Sequence, residues 1–206
     1  MRIDRATRAR ALMEFEVSYR VHGVCAGIDE VGRGPLAGCV LAACVVMPEE
    51  PLLQWVDDSK KLSETRREKV YQEILDIALF VGIGRAEPKE IDEMNIRNAT
   101  RLTMQRAAEG APAGIFLVDA EQSIGLPGAE IAVVHGDAMC YSIAAASIIA
   151  KVTRDREMRK LDAQYPAYGF ARNKGYGTAE HMQAIREHGP CPVHRRSFLT
   201  RLLQTE

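Results

Sequence analysis

Residues 23–47 read GVCAGIDEVGRGPLAGCVLAACVVM and set the pattern for the rest of the chain. Val, Ile, Ala and Cys dominate residues 23–31 and 38–47, and a Gly-Arg-Gly-Pro segment lies between them. Apolar runs of this kind are typical of strands, and clustered glycine and proline mark turns. The stretch therefore predicts a strand, a turn and a second strand.

Helical and extended patterns alternate on either side of this stretch. Upstream, residues 5–17 have the pattern of a short helix. Downstream, Ser63 is a suitable N-cap for a helix over residues 64–76, and residues 77–86 are apolar with interspersed glycines. Three successive strands with one helix inserted predict a meander.

Short apolar runs bounded by glycine and proline mark two further strands in the second half. Residues 115–119 (IFLVD) and 130–134 (EIAVV) predict buried strands that pair in parallel. Predicted helices cover residues 88–93, 96–108 and 142–161. Thr178 is expected to cap a short helix that runs to His188, and a last helix begins near Arg195. The order of elements predicts an α/β fold with a sheet of mixed direction.

The chain has 206 residues and 47% hydrophobic content, enough for one domain with a core and a small appendage. No apolar run approaches the roughly 18 residues of a membrane-spanning helix. Residues 1–10 lack the apolar core of a signal peptide. A cytoplasmic location is therefore predicted.

The cysteines are odd in number and have no C-x-x-C spacing. They are Cys25, Cys39, Cys44, Cys140 and Cys191. Most lie in apolar stretches, which favours reduced, structural thiols. A reactive or zinc-binding cysteine is the alternative, but the paired spacing of such sites is missing.

The net charge of −1 hides an asymmetry. Residues 151–206 hold 11 Lys and Arg against 6 Asp and Glu, a net of +5, which leaves −6 for residues 1–150. A basic C-terminal part beside an acidic one suits a nuclease, since cationic side chains supply much of the affinity for phosphate. Two ordinary solvated surfaces would give the same counts.

Acidic residues stand at the ends of three predicted strands. Asp29 and Glu30 lie in the first strand, Asp119 ends the fourth, and Asp137 follows the fifth. Active sites of α/β sheets lie at strand ends, so these acids are expected to converge at one edge. A cluster of carboxylates needs a cation, and oxygen ligands select Mg²⁺ or Mn²⁺.

Each acid also has a structural interpretation. Asp137 precedes a long helix and could be its N-cap, and Asp119 could be a satisfied structural carboxylate. Asp29 and Glu30 are adjacent, and neighbours on a regular strand point to opposite faces. A distortion near Gly32 and Gly34, or a backbone carbonyl, is needed if both are to serve one site.

Residues 26–38, AGIDEVGRGPLAG, resemble the opening block of the ribonuclease HII family. Other stretches resemble later blocks of that family in the right order: residues 58–63, 95–100, 118–120, 136–138, 142–156, 174–178 and 194–198. The resemblance runs from about residue 24 to residue 198 and covers nearly the whole chain.

The resemblance implies an RNase H-like fold, with a mixed five-stranded sheet flanked by helices and a helical C-terminal extension. It implies a helical segment at 1–22, a catalytic domain at 23–162 and a substrate-binding extension at 163–206. It also implies dependence on Mn²⁺ or Mg²⁺, with two ions in the catalytic complex. The expected partners are RNA/DNA hybrids and ribonucleotide-containing duplex DNA, and the expected state is a monomer.

Individual residues take roles from the same resemblance. The four catalytic, metal-binding acids are Asp29, Glu30, Asp119 and Asp137. Cleavage is expected on the 5′ side of a ribonucleotide, leaving 3′-hydroxyl and 5′-phosphate ends. Residues expected to read the step from ribonucleotide to deoxyribonucleotide are Gly32, Arg33, Gly34 and Tyr176. Candidate phosphate contacts are Ser59, Lys60, Lys61 and Lys174.

Three other interpretations compete with this one. Ribonuclease HIII usually has an N-terminal substrate-binding domain, for which the roughly 23 residues before the first strand leave no room. Other RNase H-like nucleases, such as resolvases or integrases, would not be expected to carry both the Gly-Arg-Gly and Lys-Gly-Tyr-Gly segments. A hybrid-binding module without catalysis is disfavoured by the presence of all four acids.

Overall fold

The structure is a computed structural model and describes residues 4–203. Its centre is a five-stranded sheet in the order β3-β2-β1-β4-β5. The strands are β1 (Cys25–Val31), β2 (Val40–Val46), β3 (Phe80–Ala86), β4 (Ile115–Asp119) and β5 (Ala129–Val133). β1, β2 and β3 pair antiparallel, whereas β1, β4 and β5 pair in parallel. The predicted α/β class, meander and parallel pairing are confirmed.

Helices cover both faces of this sheet. They are α1 (Arg5–Arg20), α2 (Glu64–Ile77), α3 (Pro88–Met94), α4 (Ile96–Ala108), α5 (Gly136–Met139), α6 (Tyr141–Gln164), α7 (Phe170–Asn173), α8 (Ala179–His188) and α9 (Arg196–Leu203). The predicted caps are confirmed, because Ser63 accepts a hydrogen bond from the Arg66 amide and Thr178 accepts one from the His181 amide.

Some predicted boundaries are wrong by two or three residues. The third strand begins at Phe80 instead of residue 77, because α2 continues through Ile77. The second strand begins at Val40 instead of residue 38, since Gly38 has a φ of +83° and turns the chain. The outer ends of the two predicted terminal segments, residues 1–3 and 204–206, lie outside the described residues.

The core has two layers, divided by the sheet. All seven residues of β2 are buried, and alternate side chains enter opposite layers. Leu41 packs into the layer below α6, whereas Ala42 packs beside Met104 of α4. Glycine permits the close approach of helix and sheet, because a Cβ on Gly27 would lie 2.1 Å from the Ser142 carbonyl carbon.

The C-terminal helices pack against the turn between β1 and β2. Ala37, Tyr168, Phe170 and Leu199 belong to one small apolar cluster of buried residues. Within residues 4–203, no helix is both long and apolar enough to cross a membrane. The boundary predicted at residue 162 falls inside α6, which continues to Gln164.

Candidate active site

Three aspartates meet at one edge of the sheet. Asp29 lies near the end of β1, Asp119 ends the parallel neighbour β4, and Asp137 lies in the first turn of α5. One carboxylate oxygen from each residue lies within 4.8 Å of the others. Asp29 and Asp137 are each only 6% exposed. The fold thus places three carboxylates from three separate elements in one partly buried group.

Burial and mutual repulsion make this group electrostatically unfavourable without a cation. Burial raises the pKa of Asp29 well above its usual range, and the nearby charges of Glu30 and Asp119 raise it further. Burial also raises the pKa of Asp119, although the Gly136 amide donates a 2.7 Å hydrogen bond to it. Oxygen ligands at this spacing fit a hard divalent cation.

Glu30 lies outside this three-acid group. Gly27 and Asp29 share the face covered by α6, so strand alternation starts the Glu30 side chain on the opposite face. Burial raises the pKa of Glu30, and the nearby charge of Asp119 raises it further. The strand keeps regular pairing through Val31, and the departure from strand geometry comes afterwards, at Gly32 with a φ of +90°. Glu30 pairs with Arg33 at 3.5 Å between carboxylate oxygen and guanidinium nitrogen.

The interpretation of Asp137 as the N-cap of the long helix is wrong. The residue at the N-cap of α6 is Cys140, and a separate short helix, α5, holds Asp137. The Asp137 carboxylate instead faces the Lys60 ammonium group, at 3.2 Å. This carboxylate is therefore free of a capping role and points into the acidic group.

Ser147 was missed in the sequence, although it is one of few polar residues in the apolar first half of α6. Its hydroxyl partly offsets the rise in the pKa of Asp29. The Ser59 and Ser147 hydroxyl oxygens lie 2.8 Å apart, and both residues are buried. The Ser59 side chain, predicted to contact phosphate, instead contacts the serine that hydrogen-bonds to Asp29.

Two buried arginines hold the turn that follows β1. Arg154 donates hydrogen bonds to the carbonyls of Ala37, Cys39 and Lys174. Arg195 donates to the carbonyls of Gly32, Arg33 and Gly38. Neither role was predicted, since a charged residue that is 0% exposed is rare and its carbonyl partners are distant in sequence.

A cavity of about 300 Å³ lies beside the acids and is lined by Asp29, Glu30, Val31, Ser59, Lys60, Ser147, Lys151 and Tyr176. Tyr176 is 46% exposed, and a Cβ on Gly34 would lie 3.6 Å from its ring. The predicted Gly-Arg-Gly segment and Tyr176 are therefore neighbours. Lys174 differs, because its ammonium group donates to the Ala171 carbonyl at 2.6 Å. Lys61 lies near Asp57 and Asp58.

Comparisons with known proteins identify the family to which the chain is similar. The family model described as Ribonuclease HII matches residues 26–201. The chain is 49% identical to a ribonuclease HII of Desulfitobacterium hafniense over 201 residues, covering 96% of this chain and 77% of that protein.

Solved structures also resemble the chain. The ribonuclease H2 of Pyrococcus horikoshii OT3 has a TM-score of 0.73 and 29% identity, covering 87% of this chain and 99% of that one. A chain from the PCNA:RNase HII complex of Archaeoglobus fulgidus has a TM-score of 0.74 and 27% identity, covering 88% and 98%.

Proposed function

The chain belongs to the ribonuclease HII family, and on that premise we propose that it hydrolyses the RNA strand of RNA/DNA hybrids. We further propose that it nicks duplex DNA on the 5′ side of a single embedded ribonucleotide, leaving 3′-hydroxyl and 5′-phosphate ends. The observation that carries the proposal is the convergence of Asp29, Asp119 and Asp137 within 4.8 Å. Removal of ribonucleotides from DNA is the corresponding cellular role.

The acids are assigned to metal binding. Asp29, Asp119 and Asp137 would hold Mg²⁺ or Mn²⁺, and Glu30, on the other face of the strand, would contribute to a second ion. Such ions, when bound, activate a water molecule and stabilise the leaving oxygen in phosphodiester hydrolysis. The three aspartates offer only oxygen ligands, which suit a hard divalent cation. Without a cation, burial and the neighbouring negative charges disfavour the ionised form of Asp29, and a bound divalent cation would favour it.

Cationic side chains around the acids would orient the phosphate backbone. Lys60 lines the cavity, and its side chain is 78% exposed although its ammonium group contacts Asp137. Lys151 lines the same cavity. Contacts of this kind fix the register of a nucleic acid without reading its sequence. Ser59 would act through the Ser147 hydroxyl, and Lys174 through the Ala171 carbonyl to which it donates.

The Gly32-Arg33-Gly34 segment and Tyr176 would distinguish RNA from DNA. Gly32 is packed against Arg154, since a Cβ there would lie 2.3 Å from the guanidinium, whereas a Cβ on Gly34 would meet only the Tyr176 ring at 3.6 Å, so a sugar could approach the backbone closely at Gly34. Only the 2′-hydroxyl separates the two sugars. Arg33 and the half-exposed ring of Tyr176 would contact the ribonucleotide and the deoxyribonucleotide that follows it.

The remaining assignments follow from the same proposal. Residues 163–206 would contribute to substrate binding through Tyr176, and the protein would act as a monomer. A cytoplasmic location is supported by the five cysteines, all of which are buried and free.

Asn substitutions at the acids test the proposal. Asp29→Asn and Asp137→Asn should lower turnover on a labelled RNA/DNA hybrid on the order of a thousandfold while keeping hybrid binding. Asp76→Asn is the matched control, because Asp76 is an exposed acid on α2. Hybrid binding without any metal-dependent cleavage by the wild-type protein would instead identify a binding module.

A further inference from the structure

Two histidines lie buried behind the tyrosine that we assign to substrate reading. His181, on α8, is 0% exposed, and His194, just before α9, is 2% exposed. Their Nε2 atoms face each other at 3.0 Å. A hydrogen bond between two imidazole nitrogens requires one to carry a proton and the other to lack it.

The contacts of the two Nδ1 atoms decide which of the facing Nε2 atoms carries the proton. His181 Nδ1 lies 2.9 Å from the Tyr176 carbonyl oxygen, which only accepts, so Nδ1 must be protonated. His194 Nδ1 lies 3.0 Å from the Cys191 amide, 3.1 Å from the Cys191 sulfur and 3.3 Å from the Cys191 carbonyl oxygen. The amide contact is the shortest, and Nδ1 accepts it when it is unprotonated. In neutral rings, His194 Nε2–H then donates to His181 Nε2.

One arrangement of protons therefore satisfies all four ring nitrogens. The hydrogen bonds run in a single direction, from the Cys191 amide through His194 and His181 to the Tyr176 carbonyl. Adding a proton to either ring would bring two N–H groups face to face. Burial keeps the rings neutral by lowering the pKa of both, that of His194 to about 4.

The segment that contains His194 also contacts the Gly32-Arg33-Gly34 turn, to which we assign ribonucleotide recognition together with Tyr176. Arg195, the next residue after His194, donates hydrogen bonds to the carbonyls of Gly32 and Arg33 at 2.6 and 3.0 Å. The Leu36 amide also donates to the Gly175 carbonyl at 2.8 Å. Residues 194 and 195 thus connect to both Tyr176 and the Gly-Arg-Gly turn.

We propose that His181 and His194 are positioning residues for ribonucleotide recognition: their directed hydrogen-bond chain fixes Tyr176 relative to Arg33. The inference rests on the proposed function for the role of Tyr176. If the Tyr176 ring is free to shift, the recognition of a single ribonucleotide should weaken more than the cleavage of a strand made entirely of RNA. In such a strand every step offers a 2′-hydroxyl.

Two near-isosteric variants separate this role from general packing. His181→Asn keeps a donor where Nδ1 contacts the Tyr176 carbonyl, whereas His181→Gln keeps a polar group toward His194 and loses that donor. The readout is kcat/KM on a single-ribonucleotide duplex divided by kcat/KM on a uniform RNA/DNA hybrid. We expect His181→Gln, which loses the contact with the Tyr176 carbonyl, to lower this ratio about tenfold, and His181→Asn, which keeps that contact but loses the one to His194, to lower it by less.

Tyr176→Ala distinguishes the two possible failures. If Tyr176→Ala lowers the ratio and His181→Gln does not, the positioning role is overturned and the proposed function stands. If Tyr176→Ala leaves the ratio unchanged, the reading role of Tyr176 and the inference fall together.

A spectroscopic measurement on the wild-type protein is independent of both activity and variant folding. Long-range ¹H–¹⁵N correlation spectra at neutral pH report which imidazole nitrogen carries the proton. We expect His181 as the Nδ1–H tautomer and His194 as the Nε2–H tautomer, and the same tautomer at both positions would overturn the proposed chain.

Discussion

At the residue scale, the carboxylate of Asp29 lies where the charged form is disfavoured. It is 6% exposed, and Glu30, Asp119 and Asp137 all raise its pKa. A carboxylate that is kept at such a position for metal binding is expected to lower the free energy of unfolding. The cost should be visible in the metal-free protein and should disappear when a cation neutralises the group.

Asp29→Asn should therefore stabilise the metal-free protein while it removes activity. We expect a gain of about 1 kcal/mol, or roughly 2–4 °C in Tm for a domain of this size. Added Mg²⁺ or Mn²⁺ should raise the Tm of the wild type more than that of the variant, since the cation binds the folded state. Thermal unfolding in EDTA and with metal checks this, and a lower Tm for the variant in EDTA would contradict it.

His194 should make stability depend on pH. Its pKa is lowered to about 4 in the folded state, first by burial and then by the neighbouring His181, from an ordinary value of 6.5. Between these values the unfolded chain binds the proton and the folded chain does not, so stability falls as pH falls. From pH 7 to 5 this contribution amounts to about 1–2 kcal/mol.

Urea unfolding at pH 7 and pH 5 tests this dependence. His194→Asn cannot titrate, and its side-chain oxygen can still accept from the Cys191 amide. The wild type should lose more stability between the two pH values than the variant does. Equal losses in the two proteins would show that His194 titrates normally in the folded state.

At the element scale, α1 is anchored to the start of α6 by a buried carboxylate. Glu16 is 0% exposed and accepts hydrogen bonds from the amide and the hydroxyl of Ser142, at 2.7 and 2.8 Å. It also pairs with Arg20. Because the first amides of a helix lack partners within it, Glu16 caps α6 from a distant part of the chain.

Glu16→Gln should destabilise the protein by about 2–4 kcal/mol, because the amide cannot satisfy the same donors and leaves the charge of Arg20 poorly compensated. Urea unfolding measures the effect. Glu14→Gln is the matched control, since Glu14 is exposed on the same helix and should change stability little. A loss at Glu16 no larger than at Glu14 would contradict the anchoring role.

A second contact from α1 reaches the acidic edge of the sheet. Arg8 donates to Asp57 at 3.1 Å and to the Ala138 carbonyl at 2.7 Å, next to Asp137. Arg8→Met should lower kcat on an RNA/DNA hybrid about tenfold by loosening α5. Arg10→Met, at an exposed position of α1, should leave kcat unchanged. Equal kcat values for both variants would show that α5 holds Asp137 without Arg8.

At the scale of the whole molecule, local patterns predicted most of the fold. Residues 115–119 form the predicted strand β4, and residues 96–108 form the predicted helix α4, because apolar spacing reports burial directly. Boundaries were less predictable where a helix or a turn competes with a strand, as at Ile77 and Gly38.

The candidate site was predictable only in part. The edge where Asp29, Asp119 and Asp137 meet follows from strand order, but the separate placement of Glu30 depends on regular pairing through Val31. The roles of Ser147, Arg154 and Arg195 depend on partners far away in sequence. Such contacts arise from tertiary packing, which no local pattern encodes.

The most direct test of the whole account uses a labelled DNA duplex with one ribonucleotide, incubated with the purified protein and Mg²⁺ or Mn²⁺. An all-DNA duplex and an EDTA reaction serve as controls, and the product ends are mapped. We predict a single cut on the 5′ side of the ribonucleotide, with 3′-hydroxyl and 5′-phosphate ends, and no cut in either control. Cleavage of long RNA stretches only, or cleavage that persists in EDTA, would contradict the account.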